Sequence, residues 1–145
     1  MDRNQAFRLI GEYFESWIKK DIEMFSKVVH DAAIIRECTG AVMEGKNELV
    51  NWFTHWNSSD NKVDYWEIKE IGFDEASKAA FVEWRFKCLY DAQEYEWDGA
   101  SIVYFKESLI IELNEYEMKE NKFFPYRSVK NKESAREYKD KLDSR

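Results

Sequence analysis

Apolar residues at Phe7, Ile10, Phe14, Trp17 and Ile18 recur in steps of three and four, which puts them on one stripe of a helix. That helix closes near Lys19 and Lys20, cations suited to the negative end of a helix dipole. Asp21 is then placed to cap a shorter helix carrying Ile22, Phe25 and Val28 or Val29, so the two helices fold back on each other there. Ala33 to Thr39 reads as a brief strand ending at Gly40. A third helix follows Gly45 with Leu49, Val50, Phe53 and Trp56 inward, and the polar cluster Asn57-Ser58-Ser59-Asp60-Asn61 stops it.

From Val63 the period changes. Residues 63–73, 79–90, 97–105 and 109–116 are long runs rich in β-branched and aromatic side chains, separated by polar turns, and predict an antiparallel meander. Within the second run Val82, Trp84, Phe86, Cys88 and Tyr90 share one face, while Glu83, Arg85 and Lys87 share the other. The apolar face has to be covered, and the helices of the first half are what can cover it, which predicts an α+β domain with about three N-terminal helices. Gly99, inside a strand, suggests a bulge or bend that curves the sheet. The single domain is expected over residues 1–128. Residues 129–145 form a charged tail holding at most a frayed helix, in which Tyr138 and Leu142 lie one turn apart.

Composition narrows the function. A net charge of −7 repels phosphate backbones and anionic lipid surfaces, so neither nucleic acid nor a membrane is expected as a partner. The start Met-Asp-Arg-Asn-Gln lacks a secretory pattern, and a cytoplasmic location is expected. Cys38 and Cys88 are too few for a disulfide framework and read as buried thiols. His30 and His55 form no metal-ligand set with them, and no phosphate loop, nucleophile elbow or dinucleotide fingerprint occurs, so no cofactor or metal is expected. What stands out is six tryptophans in 145 residues, most on apolar faces of predicted elements. Such rings either fill a solid core or wall an aromatic pocket for a small organic molecule, with Tyr13 and Glu37 as polar groups at its floor.

Three helices, a short strand between the second and third, and a long meander resemble the cone-shaped, cystatin-like fold of the nuclear transport factor 2-like, or SnoaL-like, superfamily. The spellings Glu37-Cys38-Thr39-Gly40, Trp52-Phe53 with Trp56-Asn57, Trp66-Glu67-Ile68, Glu83-Trp84-Arg85-Phe86-Lys87-Cys88, Asp98-Gly99-Ala100-Ser101-Ile102 with Phe105, and Pro125-Tyr126 look like a bacterial SnoaL-like subgroup over roughly residues 5–126. The superfamily includes ketosteroid isomerase, where a carboxylate base works beside a tyrosine and a protonated aspartic acid that stabilise an oxyanion. Laid on this chain, the resemblance puts the tyrosine at Tyr13, the proton-moving carboxylate at Glu37 and the protonated aspartic acid at Ser101. A serine hydroxyl is a weaker, neutral donor, so the two-donor oxyanion hole is incomplete.

The candidate catalytic pair is therefore Glu37 and Tyr13, and the candidate ligand-binding residues are Trp17, Phe53, Trp56, Trp66, Trp84, Trp97 and Ser101. Glu37 either points into the aromatic interior with Ala33 and Ile35 or turns outward to a cation such as Arg36. Three functions fit: a domain that binds a small apolar or aromatic molecule; a cofactor-independent acid/base enzyme of isomerase, cyclase or hydratase type; and a protein-interaction module. A homodimer through the charged sheet face, where Tyr65, Ile71 and Phe81 are interspersed, is compatible with each.

Overall fold

The computed structural model describes residues 1–127 and 131–144. Helix α1 (Arg3–Lys19) opens with a capping box, in which the Asp2 side chain accepts from the Gln5 N–H at 2.8 Å and the Gln5 side chain accepts from the Asp2 N–H at 2.9 Å. It ends at Lys20, whose left-handed φ of 55° reverses the chain. Asp21 caps α2 (Ile22–Val28) by accepting from the Met24 N–H at 3.1 Å. Strand β1 (Val29–Arg36) begins four residues before the expected Ala33, because Val29 already has extended dihedrals. Strand β2 (Val42–Glu44) and α3 (Lys46–Asn57) follow. The meander is β3 (Lys62–Asp74), β4 (Ala79–Tyr90), β5 (Gln93–Lys106) and β6 (Leu109–Glu117).

The six strands form one sheet in the order β2-β1-β6-β5-β4-β3. All neighbours are antiparallel except β1 and β6, which run parallel with Ile35 opposite Leu113. The sheet is therefore mixed rather than wholly antiparallel, since β1 enters beside the last strand of the meander and not beside the next in sequence. Register shifts in β3, between Val63 and Tyr65 and between Ile68 and Glu70, and between Tyr104 and Phe105 opposite β6, bend the sheet into an open cone. Helices α1, α2 and α3 close its concave side. Tyr13, Phe25, Phe53, Ile10 and Leu49 from the helices meet Trp84, Val82, Ile35 and Leu113 from the sheet, all fully buried.

Gly99 is not at a bulge. It lies opposite Trp84 in an unbroken β4–β5 register, and a Cβ placed on it would sit 2.4 Å from Trp84 Cη2 and 2.5 Å from the Tyr116 carbonyl oxygen. Glycine is required there by the close approach of the indole. Beyond the domain, the charged tail folds further than expected: Asn131–Asp143 is a helix, α4, with Tyr138 6.1 Å from Phe123 between ring centroids. Tyr138 and Leu142 nonetheless remain exposed, and the junction at 128–130, where the domain boundary was expected, lies outside the described residues. Among the described residues no helix is long and apolar enough to cross a membrane.

Candidate functional site

The wide end of the cone opens into a cavity of about 1220 Å³ between α1, α3, the β1–β2 turn and the concave face of β3 to β6. All six tryptophans line it. They are held in a continuous aromatic framework rather than scattered. Trp66 stacks on Phe14 at 4.0 Å and 8°, Trp17 leans on Trp52 at 4.7 Å, and Phe86 lies 4.9 Å from Trp97. Nearer the mouth Trp56 stacks on Tyr90 at 5.9 Å. Alternation in the strands and helical spacing in α3 aim these rings inward, and their mutual contacts fix their rotamers. Buried indole nitrogens normally find an acceptor, yet Trp17 Nε1, Trp66 Nε1 and Trp97 Nε1 have none among the described residues.

Glu37 faces this cavity. It sits just after β1, where its N–H bonds the Ala41 carbonyl at 2.9 Å and its carbonyl accepts from the Gly40 N–H at 3.0 Å, so a tight turn sets its side chain. Arg36, the alternative partner, points the other way to Glu112 and Asn114. The only polar contact of the Glu37 carboxylate among the described residues is the Thr39 hydroxyl at 3.3 Å. Burial raises its pKa, and the Thr39 hydrogen bond offsets only part of that rise.

Glu115 of β6 lines the same cavity. Burial first, and the neighbouring Glu37 charge second, push its pKa up to about 8; the Cys38 backbone N–H works against the shift. Two carboxyl groups that share a poorly hydrated site resist ionising together, and Glu115 is the one that keeps its proton to about pH 8. Cys38 borders them, and burial together with Glu115, Glu117 and Glu37 lifts its thiol to about 12, leaving it protonated and unreactive.

Three expected site residues lie behind the wall instead of on it. Tyr13 is fully buried among Phe14, Phe25 and Trp66, its hydroxyl without a well-formed hydrogen bond among the described residues; burial first, then the charges of Glu115 and Glu37, hold its pKa well above the ordinary tyrosine value, with the Trp17 indole working against the shift. Phe53 is buried against Phe25 at 4.6 Å, beneath Trp17. Ser101 accepts a hydrogen bond from Trp84 Nε1 at 2.9 Å and is shut off by that indole. Asp98, one residue before Gly99, is on the outer face between Lys69 and Arg85. The structure thus places Glu37, Trp17, Trp56, Trp66, Trp84 and Trp97 around one cavity, and leaves no two-donor oxyanion hole at Tyr13 and Ser101.

A family model described as a SnoaL-like domain matches residues 10–113. The chain belongs to this family. Its fold is similar to that of an LEH-like epoxide hydrolase of M. tuberculosis, at 12% identity and a TM-score of 0.70 over 79% of this chain and 84% of that one. It is also similar to a protein from Catenulispora acidiphila with a ketosteroid isomerase-like fold, in complex with trimethylamine: 11% identity, TM-score 0.65, 74% of this chain and 83% of that one. A third similar structure, provisionally described as a polyketide cyclase of Xanthomonas campestris, has 14% identity and a TM-score of 0.66 over 79% and 90% of the two chains. No curated protein matches the sequence. At these identities the likeness is one of fold.

Within this SnoaL-like domain the residue that sequence reasoning missed is Glu115. The signal was present: with Leu113 buried on β6, alternation turns Glu115 inward, opposite Ser101 of β5. A lone carboxylate on an otherwise apolar strand face reads as a surface residue unless the strand's inner face is known. Trp52 and His55 were missed as cavity residues as well, because they lie beside the apolar stripe of α3.

Proposed function

We propose that this SnoaL-like domain binds a small organic molecule with a largely apolar or aromatic skeleton in the tryptophan-lined cavity. The observation that carries the reading is a volume of about 1220 Å³ walled by all six tryptophans, well above the roughly 300 Å³ at which ligand pockets begin. The two carboxyls give such a ligand a fixed orientation. The trimethylamine in the Catenulispora acidiphila protein supports a small-molecule role for this kind of cone. The test is tryptophan fluorescence and thermal shift with a panel of aromatic, alicyclic and amine compounds, on wild type and Glu37→Gln. A saturable hit at a hundred times its Kd adds about 2.7 kcal/mol of stability. A panel that fills the cavity by size and moves neither signal overturns the reading.

The Glu37 and Glu115 pair favours a second reading, cofactor-independent acid/base chemistry. One carboxyl holding a proton while its neighbour carries the charge is the arrangement that gives and takes a proton on one substrate. Both line the cavity, whereas Tyr13 acts at most from behind it. Unchanged turnover of a cavity ligand by Glu37→Gln and Glu115→Gln would remove this reading. The outer sheet face supports the homodimer: Phe81, Tyr104 and Tyr116 are exposed there beside the charged residues. Sedimentation at micromolar concentration tests it, with a monomer as the outcome that excludes it.

A further inference from the structure

We infer that the ligand of this cavity is an organic cation, a substituted ammonium or protonated amine, held between tryptophan faces and the Glu37 and Glu115 carboxylates. The inference rests on the cavity reading above and adds the charge of the ligand.

The wall is strongly biased in sign. Among the described residues that line it are the carboxylates of Glu37, Asp60, Asp91, Glu115, Glu117 and Glu120, against Lys119 as the one lysine and with no arginine. The cations that could neutralise the inner pair are committed elsewhere. Arg36 turns out to Glu112 and Asn114, and Arg85 is on the opposite face of the sheet with Glu96 and Asp98. Lys119 is exposed, and among the described residues neither it nor any other cation pairs with Glu37 or Glu115, so two carboxyl groups share an aromatic chamber without an ion pair, a costly arrangement unless something positive completes it.

An ammonium group meets both halves of this wall. Indole faces carry the negative end of the ring quadrupole and attract a cation within about 6 Å of the ring centroid, more strongly when it is desolvated. The Trp17, Trp52 and Trp56 group converges with centroids 4.7 and 5.6 Å from Trp17, and Trp66, Phe86 and Trp97 form the facing wall. An anion would meet carboxylates. A neutral ligand would take further water from them and leave their charge unanswered.

The proton at Glu115 stands in for the missing cation. A bound ammonium favours the charged carboxylate and so opposes the burial and the Glu37 charge that raise the Glu115 pKa to about 8; binding therefore expels that proton and tightens as pH rises toward 8, then levels off. The groups facing Glu115 are Glu37 and Cys38 from the β1–β2 turn, Tyr13 from α1 and Glu117 on its own strand. His55 from α3 and Lys119 after β6 border the same cavity. Cys38 and Tyr13 keep their protons throughout, and His55→Gln serves as the control for the histidine.

The experiment compares benzyltrimethylammonium with its uncharged carbon isostere, neopentylbenzene, by tryptophan quenching and calorimetry on the full chain from pH 6 to 9. The expected result is at least ten-fold tighter binding of the cation at pH 9, affinity falling by up to ten-fold per pH unit below 8, and proton release at pH 7 revealed by buffers of different ionisation heat. Glu115→Gln should fold, since it removes a buried charge, and should bind the cation more weakly at pH 9 with a flattened pH dependence. Equal or tighter binding of the isostere at pH 9 would overturn the cation while leaving the cavity reading intact. Binding of neither probe at millimolar concentration would overturn both.

Discussion

On strand β4, Trp84, Phe86 and Cys88 face the cavity while Arg85 and Lys87 face outward, and the carboxyl groups on the two sides of this sheet are perturbed in opposite directions. Outside, Asp98 is paired with Lys69 at 2.9 Å and Arg85 at 3.1 Å, and Glu96 accepts from Tyr65 and Arg85; these contacts lower both pKa values. Inside, burial raises Glu37 and Glu115. One sheet thus keeps charges paired with cations on its outer face, and on its inner face holds two carboxyls that are buried without an ion pair among the described residues. Groups that folding alone would not favour are the ones to associate with function.

The largest expected effect comes from the inner wall. Trp84→Ala removes a fully buried indole that contacts Trp66 and bonds Ser101, and should cost about 3–5 kcal/mol in urea unfolding. A loss below about 1 kcal/mol would mean the cavity wall is not part of the core.

The pH dependence of stability tests the contrast between faces directly. Unfolded Glu115 ionises in the ordinary carboxylate range, whereas the folded chain keeps that proton to about pH 8. Between these values the folded state binds more protons, so stability falls as pH rises, by up to about 1.4 kcal/mol per pH unit from this group. Glu115→Gln should flatten that alkaline limb in denaturant melts at pH 5 to 9; an unchanged limb would place the cause elsewhere.

Gly99→Ala should cost about 1–3 kcal/mol, because the new Cβ meets the Trp84 ring and the Tyr116 carbonyl. Near-neutral behaviour would show that Trp84 has room to move. The smallest effect is expected on the outer face. Arg85→Gln should leave the neutral-pH unfolding midpoint nearer to wild type than Gly99→Ala does, since exposed ion pairs contribute little. What it should change is the acid side: Glu96 and Asp98, whose lowered pKa values contribute stability above the ordinary carboxylate range, would lose part of it and the acid transition would weaken.

By itself the sequence determined the elements and their faces. The steps of three and four from Ile10 to Trp17, the Asp21 cap and the alternation from Val82 to Tyr90 are local patterns set by helical and strand periods, and each recurs in the structure. Alternation and stripe position also aim Trp17, Trp56, Trp66, Trp84 and Trp97 inward one element at a time, whereas the direction of Glu37 and the place of Trp52 were open until the elements were assembled. Only the tertiary structure decided which inward residues reach a surface. Tyr13, Phe53 and Ser101 point inward yet are sealed beneath Phe14, Trp17 and Trp84, since depth depends on what other elements lay over a residue. The parallel seating of β1 beside β6 likewise joins segments far apart in the chain, and that seating is what brings Glu37 next to Glu115. Pairing of that kind is set by packing across the whole cone, for which no local period carries a signal.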